Sequence, residues 1–235
     1  MRKIKVLNNY AGIGGNRRLW EDVEVTAVEL DPNKAAVYQD LYPNDEVIVT
    51  DGHEYLRQNY HKFDFIWSSP VCITHSQMRQ NLAVRFRGTA PEYPDMNLYQ
   101  EIIFLQYNFQ GLYVVENVEP YYKPLVPPTA VIQRHLFWAN FHISNIQFPK
   151  DNLRAAQIPE LQQHTGIDLS KYKLSEKRQV LRNCVFPPLG AHILSQARLT
   201  KRAADLWGSV PSNGLVHQPE LIPLSAGSLN PPTSR

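Results

Sequence analysis

Five short, strongly apolar runs recur through the first half of this chain, and most are followed by a turn and a helix-like stretch. That alternation constrains the fold more than any other feature. The runs are Lys3–Asn8, Val23–Leu30, Glu46–Val49, Phe63–Trp67 and Leu112–Val115. Between them, Asn16–Trp20 can start a helix. Asp31-Pro32 offers a cap and a first-turn proline for a helix over Asn33–Leu41. Asn97–Phe109 places Leu98, Ile102, Leu105 and Phe109 at helical spacing. Strands this apolar, separated by helices, predict a doubly wound α/β fold, with a mostly parallel sheet covered on both faces. A chain of 235 residues can bury one core of that kind.

The rest of the chain reads differently. Ser68–Asp95 is long and polar and carries Arg79, Arg85 and Arg87, as expected of a functional loop. Past Tyr121, prolines break the pattern. Ala130–Trp138 and Ile143–Phe148 are strand-like, Lys150–Glu176 is polar without a period, and Pro188–Leu206 predicts a long helix. Gly208–Arg235 is rich in Pro, Ser, Gly and Asn and reads as a poorly ordered tail. The formal charge of +2 excludes a basic arm or an acidic disordered chain, so any nucleic-acid-binding patch must be local. Two cysteines, Cys72 and Cys184, are too few for a disulfide framework. With no signal-like start and no bilayer-length apolar run, the expectation is a soluble cytoplasmic protein, without a membrane or metal partner.

Chemistry-bearing residues cluster at the strand ends. Tyr10–Gly15 follows the first strand, and its glycines let a ligand approach the backbone, although a tight turn needs glycines too. Glu29 ends the second strand, where a carboxylate can accept from both ribose hydroxyls; Asp31 beside it also reads as a helix cap. Asp51-Gly52 follows the third strand, either as an acceptor for an adenine amino group or as a plain turn. Together these outline one crevice for an adenosine-containing cofactor. Cys72, just past Pro70 after the fourth strand, is a nucleophile at the mouth of that crevice or a buried inert thiol. Glu116 ends the fifth strand, where a buried acid is costly unless it has a task.

The ordered set of Ala11–Gly15, Glu29–Asp31, Asp51-Gly52, Ser69–Cys72 and Glu116–Val118 resembles the cytosine-5 DNA methyltransferases, Rossmann-like enzymes that use S-adenosyl-L-methionine. The resemblance continues at Gln133–Phe137 and Arg178–Pro187, covering residues 4–141 and 178–195. It implies that Tyr10, Gly12, Gly14 and Gly15 line the methionine part of the cofactor. Glu29 would hold the ribose, Leu30 would pack on the adenine, Asp51 would accept from its amino group, and Pro70 and Asn183 would complete the pocket. Cys72 would attack carbon 6 of a flipped cytosine, and Glu116 would hydrogen-bond its ring nitrogen and amine, with Arg134 nearby. Ser76, Arg79, Arg85, Arg87 and Asn117 would meet duplex DNA.

The chain departs from the family pattern in several places. Pro70 is followed by Val71 rather than a second proline, and Tyr10 stands where phenylalanine is frequent. Only Arg134 fills a motif that usually has two arginines, and Cys184 occupies a small-residue position. The segments expected are a catalytic domain over 1–141 and 178–207, a short target-recognition segment over 142–177, and the tail over 208–235. So little recognition sequence suggests a monomer whose specificity is short, relaxed or supplied by a partner, as in a phage or restriction-modification enzyme of a prokaryotic cell or infected host. Methylation of transfer RNA, an inactive cofactor-binding module and a nicotinamide-linked enzyme are the competing expectations.

Overall fold

The computed structural model describes residues 2–148 and 155–207. Seven strands form one sheet in the order β3-β2-β1-β4-β5-β7-β6. They are β1 (Ile4–Asn9), β2 (Val23–Glu29), β3 (Glu46–Val49), β4 (Phe65–Ser68), β5 (Leu112–Val118), β6 (Ala130–Ile132) and β7 (His135–Ala139). The first five run parallel, whereas β7 is antiparallel to both β5 and β6. The helices are α1 (Pro32–Leu41), α2 (Gly52–Asn59), α3 (Asn97–Asn108), α4 (Ile158–Thr165), α5 (Lys177–Asn183) and α6 (Pro187–Trp207). This is the doubly wound, mostly parallel, Rossmann-like sheet expected from the alternation of apolar runs and helices.

Strand residues alternate between two cores, as the pleat requires. Val6, Val25, Phe65, Trp67, Val114 and Phe137 pack with Leu189, Ile193, Leu194 and Ala197 of α6 on one face. Leu7, Val28, Ile66, Tyr113 and Val115 pack with Leu56 of α2 and Leu98, Tyr99, Ile102 and Leu105 of α3 on the other. Asp31 caps α1 by accepting from the backbone N–H groups of Asn33 (2.9 Å) and Lys34 (3.4 Å), with Pro32 in the first turn.

Three sequence expectations need correction. Ala130–Trp138 is a hairpin rather than one strand: Gln133 takes φ 55° and turns β6 back into β7. Ile143–Phe148 forms no strand; Ile143, Ile146 and Phe148 are instead apolar anchors on the α6 face. The stretch without a period hides α4, which is started by a capping box between Gln157 and Glu160 and stopped by left-handed Gly166. Leu161, Ile167 and Leu169 around it pack with Ile13, Val37 and Leu181. The expected tail over 208–235 lies outside the described residues, among which no helix is long and apolar enough to cross a membrane.

The turn after β1 is pressed directly onto α6. A Cβ on Gly190 would stand 2.3 Å from the Asn16 carbonyl oxygen, and the Gly190 carbonyl accepts from Trp20 Nε1 at 3.0 Å. Backbone this close cannot give way as a flexible side chain can. Gly190→Ala is therefore expected to destabilise the protein by about 1–3 kcal/mol, the range for overpacking a core. A urea midpoint unchanged from wild type would contradict that close approach.

Candidate active site

β1 and β4 are neighbours, yet the chain leaves β1 towards β2 and leaves β4 towards β5. The turns after them therefore diverge and open a crevice at the strands' carboxyl ends, the switch point where doubly wound sheets take ligands. On one side lies Tyr10–Gly15, on the other Ser69–Cys72.

Glu29 organises the glycine turn. Its carboxylate accepts from the N–H groups of Gly12 (2.8 Å) and Asp31 (2.9 Å), so it bridges the loops after β1 and β2. Gly12 and Gly14 take φ of 57° and 80°, where a side chain is strained. A Cβ on Gly12 would meet nothing within 4 Å, so open space lies beside its backbone. Gly15 instead presses inward, its hypothetical Cβ 2.6 Å from that of Cys184. Leu30 is 66% exposed next to Glu29, and Asp51 caps α2 at the end of β3 by accepting from Glu54 N at 2.9 Å. Asn183, at the end of α5, lines a cleft of about 310 Å³ with Asp31, Asn33 and Lys34. Open glycine backbone, an acid with spare lone pairs, an uncovered leucine and a second acid fit an adenosine-type cofactor.

Cys72 is half-buried, and its carbonyl accepts from the N–H groups of His75 (3.1 Å) and Ser76 (3.0 Å). Burial and the negative charge of Glu116 push its thiol up to about 11, and Arg134 opposes them. Cys184, by contrast, packs in the Ile13 cluster, and burial pushes its thiol to about 12. The turn carrying Cys72 is clamped to β5, because Asn117 Nδ2 donates to the Pro70 carbonyl at 3.0 Å. Beyond it, Ser76 bridges Pro120 and His75 meets the Tyr122 hydroxyl at 2.5 Å.

Glu116 is 6% exposed at the end of β5. Burial alone would raise its carboxyl, but the charge and hydrogen bond of His135, the Ser69 hydroxyl and the charge of Arg134 hold it below the usual carboxylate range. His135 Nδ1 lies 2.6 Å from Glu116 Oε1. An ionised carboxylate only accepts, so Nδ1 carries the proton. On the other side, the indole N–H of Trp67 donates to Ser69 Oγ at 2.8 Å, which leaves the hydroxyl proton for Glu116.

His135, which the sequence reading did not single out, holds Glu116. Register pairs Glu116 with Phe137, so His135 is its diagonal neighbour on the same face, and a one-residue slip in the reading puts Arg134 there. The Arg134 guanidinium donates instead to the Arg182 carbonyl at 2.7 Å. Asn117, expected to meet duplex DNA, is 1% exposed and donates its amide to the Pro70 carbonyl. Of the loop arginines, Arg79 pairs with Glu92, whereas Arg85 and Arg87 are exposed on or beside the π-helical stretch Arg79–Phe86.

A second buried acid, Glu101 of α3, escaped the sequence reading. It is 1% exposed and accepts from the Tyr10 hydroxyl (2.5 Å), Ser68 Oγ (2.6 Å) and His53 Nδ1 (3.1 Å). The signal was present: Glu101 sits three residues after Leu98 and four before Leu105, on the apolar stripe of the helix.

No protein-family model and no curated protein matches the chain. Solved structures do. A conserved hypothetical protein of Streptococcus pyogenes is 13% identical over 59% of this chain and 86% of that one, with a TM-score of 0.35. A triple mutant of Spodoptera frugiperda DNMT2 is 24% identical over 49% of this chain and 36% of that one, at 0.37. The methyltransferase EhMeth of Entamoeba histolytica is 14% identical over 50% and 39%, at 0.33. Likenesses this distant carry no activity across, and the fold class rests on the strand order itself.

The Cys72–Glu116 coupling has a measurable consequence. Removing the Glu116 charge lowers the Cys72 pKa, so at about pH 8, well below the thiol's midpoint, more of it is thiolate. Glu116→Gln is therefore expected to speed iodoacetamide alkylation of Cys72 several-fold, and Arg134→Ala to slow it. Rates read by mass spectrometry that stay equal in all three proteins would exclude electrostatic contact.

Proposed function

We propose that this protein is an S-adenosyl-L-methionine-dependent methyltransferase that methylates carbon 5 of cytosine in DNA. The observation that carries the reading is the pairing of Cys72 and Glu116. Cys72 lies in the turn after β4 and Glu116 on the neighbouring parallel strand β5, the Glu116 charge acts on the Cys72 thiol, and Glu29 and Asp51 follow from the carboxyl edge of the same sheet. The motif resemblance supplies the reaction class, and the sheet it implies is the sheet found.

Each residue then has a task. Glu29 accepts from the ribose hydroxyls, Leu30 covers one adenine face, and Asp51 accepts from its amino group. The open backbone at Gly12 admits the methionine part. S-adenosyl-L-methionine supplies, when bound, a methyl group on a sulfonium. Carbon 5 of cytosine is a weak nucleophile until a thiolate adds to carbon 6. Cys72 makes that addition while Glu116 binds the ring nitrogen and exocyclic amine. The target carbon is hidden in a duplex, so the base leaves the stack to reach Cys72. Arg85 and Arg87, exposed beyond Cys72, suit phosphate contacts, and residues 142–177 remain as the recognition segment.

The decisive assay incubates the protein with labelled S-adenosyl-L-methionine and either duplex DNA or transfer RNA, then identifies the labelled nucleoside. 5-Methylcytosine from DNA is expected, with none from Cys72→Ala. Label in RNA alone would move the same chemistry to another substrate, and full activity in Cys72→Ala would end the reading. For the cofactor site, Glu29→Ala is expected to weaken S-adenosyl-L-methionine binding at least about tenfold, the scale of one charge-assisted hydrogen bond. DNA affinity should change far less, and unaltered cofactor affinity by calorimetry would remove Glu29 from the pocket.

A further inference from the structure

We infer that His135 is the proton partner of Glu116: it holds on Nδ1 the proton that Glu116 delivers to cytosine N3 when Cys72 adds to carbon 6. The inference rests on the reading above and extends it to how the site is protonated. His135 acts through Glu116, so it is a positioning residue that also stores a proton.

The geometry supports this in three ways. First, both groups are buried, at 5% and 6% exposure, and 2.6 Å apart, so a proton on their axis is shielded from bulk water. Second, the register of β5 on β7 makes them diagonal neighbours on one face, and the Phe137 ring stacks on the imidazole at 6.3 Å and 29°. Third, the other nearby cation cannot serve. Arg134 is turned to the Arg182 carbonyl, and a guanidinium does not release its proton in this chemistry. An imidazole does so readily. Arg134 from the turn before β7 acts on Glu116, and Cys72 from the turn after β4 feels the Glu116 charge. Ser69 adds a neutral hydroxyl.

The electron and proton balance is as follows. The Cys72 thiolate forms the bond from Sγ to C6. The C5=C6 pair becomes C4=C5, and the C4=N3 π pair moves onto N3. The proton on His135 Nδ1 passes to the ionised Glu116 carboxylate and from it to N3, so one proton leaves His135, one arrives at N3 and Glu116 is ionised before and after. When carbon 5 takes the methyl group, the C4=C5 pair forms the new carbon–carbon bond, the methyl C–S bond breaks with its pair left on sulfur as a neutral thioether, and the N3 lone pair restores C4=N3. The N3 proton then returns through Glu116 to His135. Elimination expels the thiolate, and the carbon-5 proton passes to water.

The test is the pH profile of single-turnover 5-methylcytosine formation on duplex DNA by wild type, His135→Asn and His135→Arg. Asparagine places an N–H where Nδ1–H stands, and arginine keeps the positive charge; neither titrates in this range. In wild type the rate should rise with pH as Cys72 ionises and fall again at higher pH. Both variants should keep DNA and cofactor affinity, lose the falling limb, and react about 10²-fold slower at the wild-type optimum, the scale of one acid–base group. A wild-type profile without a falling limb, or either variant keeping that limb, would overturn the proton role and leave the methyltransferase reading standing. Absence of 5-methylcytosine from wild type, on DNA and on RNA, would overturn the reading itself and this inference with it.

Discussion

The site depends on one topological constraint. Parallel strands joined by right-handed crossovers send the chain to one face of the sheet when it moves in one direction and to the other face when it moves back. Here β1 leads outward to β2 and β3 beneath α1, whereas β4 leads the other way to β5 through α3. The loops after β1 and β4 therefore cannot lie side by side. The gap between them is bordered by backbone N–H groups and side chains at strand ends, and strand ends are where Tyr10, Glu29, Asp51, Cys72 and Glu116 fall. Five residues scattered over more than a hundred positions fall along one edge because the sheet lines up its carboxyl ends.

Two buried carboxylates then fix the walls of that gap. An isolated buried charge is costly, so each survives only where donors converge on it. Glu101 gathers Tyr10 from the end of β1, Ser68 from the end of β4 and His53 from the start of α2. It thereby holds the tips of the two diverging strands at a set distance. Glu116 gathers His135 and Ser69, and so ties the antiparallel strand β7 to the turn that carries Cys72. Neither network is a surface pair whose energy solvent would screen away. Both lie where a shift of the turn would cost the full desolvation of an acid.

Behind the glycine turn the restraint is both polar and steric. Asn16 Nδ2 donates a 2.7 Å hydrogen bond to Asn8 Oδ1, Arg17 donates from Nε and Nη2 to both carboxylate oxygens of Asp45, and Gly190 lets α6 touch the Asn16 backbone. The turn is thus backed by packed elements on its core side and open at Gly12, where an added Cβ would meet nothing within 4 Å.

The sequence by itself determined the sheet-forming runs, α1 with its cap, α3, α6, and the strand-end placement of Glu29, Asp51, Cys72 and Glu116. All of these follow from local pattern: the period of apolar residues and the chemistry of caps and turns. It could not show which residue holds Glu116. That depends on the antiparallel register of β7 against β5, a pairing across 19 positions in which one step of slip exchanges Arg134 for His135. Nor could local pattern reveal that Glu101, Tyr10, Ser68 and His53 converge, since each is ordinary in its own segment. The packing of Ile143–Phe148 and the hidden α4 were settled in the same way. Tertiary structure decided these points because burial, register and the cost of an unpaired charge are properties of the assembled sheet, absent from any single stretch of chain.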